Sequence, residues 1–200
     1  MSLLLRYAQQ ANNFLLNIVQ QLDFLAPLVL RCYLVPIFWL AGSNKMMHFS
    51  DTVAWFGDGG LGLPFPQLLA FLATATEMGG AILLLLGLAT RWISIPLMIT
   101  MLVAMFTVHW QHGWQAVHDG ASPFASANLA GAMQRLNYAK ETLYQHTDYE
   151  WLTETGNFVI LNNGIEWAAT YFIMLLALFC LGGGRWISAD YWLKKYLSPN

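Results

Sequence analysis

Residues 24–42, 66–88, 92–110 and 167–184 are long apolar stretches that together contain only two charged side chains, Arg31 and Glu77. A helix needs about 20 predominantly apolar residues to cross a hydrocarbon core about 30 Å thick, so the pattern predicts four membrane spans. Polar and charged positions gather between them, in segments 43–65 and 111–166, and at the two ends. Spans joined in this way form an all-α, up-down-up-down four-helix membrane bundle, a single integral domain over residues 1–200. Ahead of the first span, Leu4, Tyr7, Ala8, Ala11, Phe14, Leu15, Ile18, Val19 and Leu22 recur at helical spacing, with Gln9, Gln10, Asn12, Asn13, Asn17 and Gln20 on the other side. They predict an N-terminal interfacial helix on the membrane surface, or an ordinary amphipathic helix packed on the bundle. Segment 111–166 is too long for a turn. Leu129, Met133, Leu136, Leu143 and Tyr144, after the start signal Ser122-Pro123, predict one or two helices in it, resting on the outer face.

Composition strengthens the membrane reading: 57% of residues are hydrophobic and 10% charged. The net charge of −2, with no basic run, excludes a nucleic-acid partner and leaves the lipid bilayer as the evident one. Arg6, Arg91, Arg185, Lys194 and Lys195 flank one side of the predicted spans, whereas Lys45, Arg135 and Lys140 fall on the other. By the positive-inside rule both termini are cytoplasmic and segments 43–65 and 111–166 lie outside. The N-terminus lacks the basic start and cleavage site of a secretory signal, so the first span is expected to stay in the mature protein. Cys32 and Cys180 lie in different spans at unmatched depths, which argues against a structural disulfide. A short echo, Gly87-Leu-Ala-Thr-Arg91-Trp-Ile-Ser94 and Gly182-Gly-Gly-Arg185-Trp-Ile-Ser188, places the ends of the second and fourth spans on one side.

Candidate chemistry begins with the two charges inside spans. An ionised group at bilayer depth is costly unless paired, and Arg31 and Glu77 each fall near the centre of their span, so the sequence predicts an ion pair between them. It reads either as a proton- or quinone-coupled site or as an element that fixes helix packing. On the third span Met98, Met101, Met105, His109 and His112 follow spacings of 3, 4, 4 and 3, one stripe on one helix face. Thioether and imidazole suit copper, which makes Met101, Met105, His109 and His112 candidate metal ligands, although methionine also fills apolar cores. His109 and His112 are expected near Lys45, Met46, Met47, His48 and Glu166 at the outer end, while His118 and His146 read as structural. No zinc signature, phosphate-cradling loop or dinucleotide fingerprint is present.

Leu30-Arg31, Gly42-Ser-Asn-Lys45 and the run from Glu77-Met-Gly-Gly through Gly87-Leu-Ala-Thr-Arg91 resemble the DoxX family of small four-helix bacterial membrane proteins. Pro36-Ile-Phe-Trp-Leu-Ala-Gly42, Gly60-Leu-Gly-Leu-Pro-Phe-Pro66 and His109-Trp-Gln-His-Gly-Trp-Gln115 are similar to its HvfX branch, which is associated with the maturation of copper-binding modified peptides. The resemblance implies an inner-membrane accessory protein of a redox or copper-peptide maturation system, with a modified peptide and its maturation enzymes as partners. Copper or a quinone is the implied cofactor. Arg31, Lys45 and Glu77 would form its polar core, with His109 and His112 at the outer mouth. A non-catalytic component, or a subunit associated with an oxidoreductase, is expected in preference to an enzyme. A small transporter of copper or of a modified peptide, and a membrane scaffold for a partner enzyme, are the alternatives.

Overall fold

The computed structural model describes residues 3–198, with side chains from Tyr7 onward; those of Leu4 and Arg6, used above for the amphipathic face and the charge count, lie outside the described residues. The described residues are helical, with no strand beyond one isolated bridge between Val117 and Leu161. In chain order the helices are α1 (Leu3–Gln21), α2 (Leu25–Met47), α3 (Phe49–Phe56), α4 (Pro66–Leu86), α5 (Thr90–Val103), α6 (Leu129–His146), α7 (Tyr149–Thr153), α8 (Glu166–Leu181) and α9 (Ala189–Leu197). They divide into two compact units, Met1–Thr100 with Phe172–Asn200, and Met101–Tyr171.

Within the first unit α2 and α4 pack against each other in antiparallel register. On α2 the buried positions are Pro27, Arg31, Leu34, Phe38 and Gly42; on α4 they are Ala70, Thr74, Glu77, Gly80, Ala81 and Leu84. Apart from the adjacent Gly80 and Ala81, both sets step by threes and fours, the spacing that puts residues on one helix face. The opposite faces, Val29, Tyr33 and Leu40 on α2 and Phe71, Ile82 and Leu85 on α4, are just as apolar yet exposed. A helix apolar all round is a buried or membrane helix. Three helices are long and apolar enough to span a membrane: Leu25–Met47, Pro66–Leu86 and Thr90–His112.

Several boundaries differ from the sequence expectation. The first span runs on to Met47, five residues past the predicted end, because Ser43, Asn44 and Lys45 extend the helix rather than start a loop. The segment expected as an outer loop then turns into α3, whose Val53, Ala54, Trp55 and Phe56 supply an apolar helix resting on α4. The fourth apolar segment, α8, has 16 residues. At ~1.5 Å per residue that is about 24 Å, short of the roughly 30 Å core of a bilayer. Gly182 and Gly184 end it in left-handed backbone at φ 82° and 89°. Helix α1 forms as predicted, and every described side chain on it is exposed, including Tyr7, Phe14, Leu15 and Val19. Its apolar face is therefore uncovered by the rest of the chain, as suits a helix lying on a bilayer. Cys32 and Cys180 are free.

In the second unit α6 and α7 are the helices expected in the long segment. Residues 113–117 run beside 160–166 through backbone hydrogen bonds such as Asn162 to Ala116 and Gly164 to Gln115. The buried side chain of Asn162 donates to the carbonyls of His112 and Gln115 at 2.8 and 2.6 Å, fastening the two segments.

Candidate functional site

Glu77 sits in mid-α4 and is 4% exposed. Its partner is Lys45: the ammonium donates to Oε1 at 2.9 Å and to Oε2 at 2.7 Å. Lys45 lies in the last turn of α2, where a cation also complements the negative end of the helix dipole. One turn earlier, Gly42 meets α4 directly. A Cβ at Gly42 would stand 2.7 Å from Met78 Cγ, 2.9 Å from Met78 N and 3.1 Å from Glu77 Cβ. Only a residue without a side chain lets the two backbones approach this closely, and that approach brings Glu77 within reach of Lys45.

The expected Arg31–Glu77 pair does not form. Arg31 lies only six residues into α2, which extends to Met47, so it is near one end of the span rather than at its centre. Its level on α4 is Leu84, seven residues from Glu77, about 10 Å along a helix. There the guanidinium, 3% exposed, donates from Nε to Leu84 O at 2.7 Å and from Nη2 to Leu85 O at 3.1 Å. From Nη1 it donates to Gly183 O at 2.6 Å and Ile187 O at 2.9 Å. The last carbonyls of a helix have no partner within it. Arg31 supplies one for α4 and ties that end to the turn after α8. Gly87 completes the end of α4: at φ 62° its N–H donates to Leu84 O while Leu88 N–H donates to Leu83 O, a Schellman motif.

Two residues that the sequence reading did not single out complete this polar end. Asp190 Oδ1 accepts from Ala89 N–H at 2.6 Å and Oδ2 from Thr90 N–H at 2.9 Å, so a residue a hundred positions away caps the start of α5. Ser188 Oγ donates to Gly184 O at 2.6 Å and accepts from Tyr191 N–H, capping α9. Ser188 preceding Asp190 was a legible helix-start signal; the use of Asp190 by another helix was not.

The methionine and histidine stripe runs through a change of backbone pitch. After Val103 the backbone widens to a π-helix over Ala104–His109 and tightens to a 3-10 turn over Trp110–His112. A step of four stays close to one turn of a π-helix and a step of three eclipses in a 3-10 turn, so the spacing still serves one side. Met101 and Met105 are buried in the second unit, and Met98, His109 and His112 are half-buried. His109 Nδ1 is 2.8 Å from Asn163 O, and His112 Nε2 is 3.4 Å from Gln111 Nε2. His112 and His118 line one cavity of about 280 Å³ with Arg135 and Asn162, and His118 Nδ1 lies 3.4 Å from Ser126 Oγ. The Glu166 carboxylate, expected beside these histidines, accepts from Ala116 N–H at 2.9 Å. Among the described residues no three His, Cys, Asp or Glu side chains form a group that could hold a metal ion.

The Lys45–Glu77 pair falls inside the region recognised by comparison. The DoxX family model matches residues 26–110. The inner membrane protein YphA of Escherichia coli (strain K12) is 32% identical over 127 residues, which are 58% of this chain and 88% of that protein. The chain belongs to the DoxX family. A second relative, CatD of Bacillus subtilis (strain 168), is named as a candidate oxidoreductase and is 33% identical over 81 residues, 40% of this chain and 58% of CatD. No solved structure matches the chain. The DoxX match takes in Arg31, Gly42, Lys45, Glu77 and Gly87 and ends before α6 and α7.

Proposed function

We propose that this DoxX protein is an accessory component of a redox system in the bacterial inner membrane, with the Lys45–Glu77 pair as its polar functional group. The observation that carries the reading is a carboxylate, 4% exposed in the middle of an apolar helix, held by a single ammonium. An ammonium has three donors; two of those on Lys45 go to Glu77, and the side chain is 26% exposed. One donor is left for an acceptor oxygen, which fits a quinone carbonyl, with Glu77 beside it as a group able to exchange a proton. A quinone would supply the electron chemistry; the chain supplies the anchor and the charge. The names of two relatives support the setting: one is an inner membrane protein and the other is named as a candidate oxidoreductase. In this reading α8 is the fourth and shortest crossing and both termini are cytoplasmic. Purified protein in nanodiscs should retain a short-chain quinone, and Lys45→Met should weaken retention about tenfold, the worth of one hydrogen bond from a charged donor. Retention no greater than that of empty nanodiscs removes the redox reading.

A second reading is handling of a copper-binding modified peptide, as in the HvfX branch. It is favoured by the placement of His112 and His118 on one cavity, two imidazoles that would contact copper as cargo brought by the peptide and its maturation enzymes. Titration of the protein with Cu(I) and metal analysis, wild type against His112→Ala/His118→Ala, tests it. A wild-type copper content equal to that of the double variant ends this reading.

A further inference from the structure

The sequence echo has a structural consequence at the end of the first unit where α4 gives way to α5 and α8 to α9. Arg91 and Arg185, the two arginines of the echo, line one groove of about 570 Å³ together with Lys194 of α9. Asp23 and Asp190 also line it, but both are engaged. Asp190 places its two oxygens on the N–H groups of Ala89 and Thr90, and Asp23 pairs with Arg185 Nε at 3.3 Å. Arg91 makes only a long hydrogen bond, 3.4 Å, to Leu181 O, and among the described residues no acidic group pairs with Arg91 or Lys194. The groove lining therefore sets the cations Arg91, Arg185 and Lys194 against the carboxylates Asp23 and Asp190, with Asp190 held by the backbone and Asp23 by Arg185.

Its surroundings say at what depth it lies. The walls come from the points where apolar helices end, and Trp92 beside Arg91 is 78% exposed. Tryptophan next to arginine at the end of a span marks headgroup level. Helix α9 exposes Trp192, Leu193, Tyr196 and Leu197 alongside Lys194 and Lys195, the composition of a helix lying in a membrane interface. Pro27, Trp92 and Leu181 give the groove an apolar wall beside its cations. A basic pocket between membrane helices bordered by apolar surface suits a phosphate that carries acyl chains.

We propose that this groove is a site for the phosphate of an anionic phospholipid headgroup, held by Arg91, Lys194 and the unpaired edge of Arg185. The test is native mass spectrometry of the full chain in detergent with phosphatidylglycerol or phosphatidylcholine added. Wild type should retain phosphatidylglycerol in preference. Lys194→Gln, at an exposed position that folding does not need, should reduce that preference about fivefold, and Arg91→Gln/Lys194→Gln about 25-fold, at roughly a factor of five for each surface cation. Lys140→Gln on α6 should leave it unchanged. Equal retention of the two lipids by wild type overturns the proposal, as does a preference that survives in the double variant. Inorganic phosphate at millimolar concentration should not displace the lipid; complete displacement would assign the groove to a soluble phosphate and overturn the lipid assignment.

Discussion

Lys45 and Glu77 form an ion pair, with Nζ of Lys45 2.7 Å from Oε2 of Glu77 across the contact between α2 and α4. Removing one partner leaves the other without its counter-ion in a dry place. Lys45→Met should therefore destabilise the protein by about 3 kcal/mol, whereas Lys45→Met/Glu77→Met should recover most of that loss, since breaking a buried pair costs more than replacing it with apolar side chains. Thermal unfolding midpoints of the two variants in one detergent decide this. A double variant no more stable than the single one would show that the pair contributes net stability.

Gly42 makes the pair possible, and Gly79 of α4 gives the contrast. Gly42→Ala would put a methyl group 2.9 Å from the backbone nitrogen of Met78, which cannot move out of the way as a side-chain end can. A loss of about 1–3 kcal/mol is expected from overpacking. Gly79→Ala meets nothing within 4 Å, and in a helix interior it should stabilise by about 0.5–1 kcal/mol. Opposite shifts in the unfolding midpoint are the predicted result.

Arg31 is expected to tolerate no conservative exchange. Its planar guanidinium serves four carbonyls, those of Leu84, Leu85, Gly183 and Ile187, and a lysine ammonium cannot match that fork. Arg31→Lys should cost about 2 kcal/mol and Arg31→Ala more, because a carbonyl such as that of Gly183 then loses its buried donor, at about 1–3 kcal/mol for each group left unpaired. Hydrogen exchange should quicken first at Gly87 and Leu88, whose amides close the end of α4. An unchanged exchange rate there in Arg31→Lys would contradict the capping role.

Asp190 caps a helix that it does not belong to, so its loss should be felt at α5. Asp190→Ala should cost about 1–2 kcal/mol, from the lost cap and the lost charge at a helix N-terminus. Amide protection of Ala89 and Thr90 should fall while that of Glu77 and Met78 stays, which hydrogen exchange read by mass spectrometry can resolve.

Runs of uncharged apolar residues were sufficient to place the three helices long and apolar enough to span a membrane, because a bilayer leaves a chain few ways to satisfy its backbone other than long helices. The amphipathic spacing of α1 and the helices within the long polar segment were legible for the same reason: a period of 3.6 is written in the residues themselves. Glu77 was legible as a group in need of a partner. Which partner it takes was not, because that depends on the level at which two helices meet. Five extra residues on α2 shifted Arg31 toward one end and brought Lys45 opposite Glu77. The stripe from Met98 to His112 passes through a local change of pitch that no spacing rule contains. Sequence determined which segments are apolar enough to span a membrane and which charges need compensation, since burial of apolar surface and the cost of a buried charge are properties of the residues. Only the tertiary structure decided that Lys45 answers Glu77 while Arg31 and Asp190 hold the helix ends, since register, close approach at Gly42 and contacts a hundred residues apart exist only once the helices have packed.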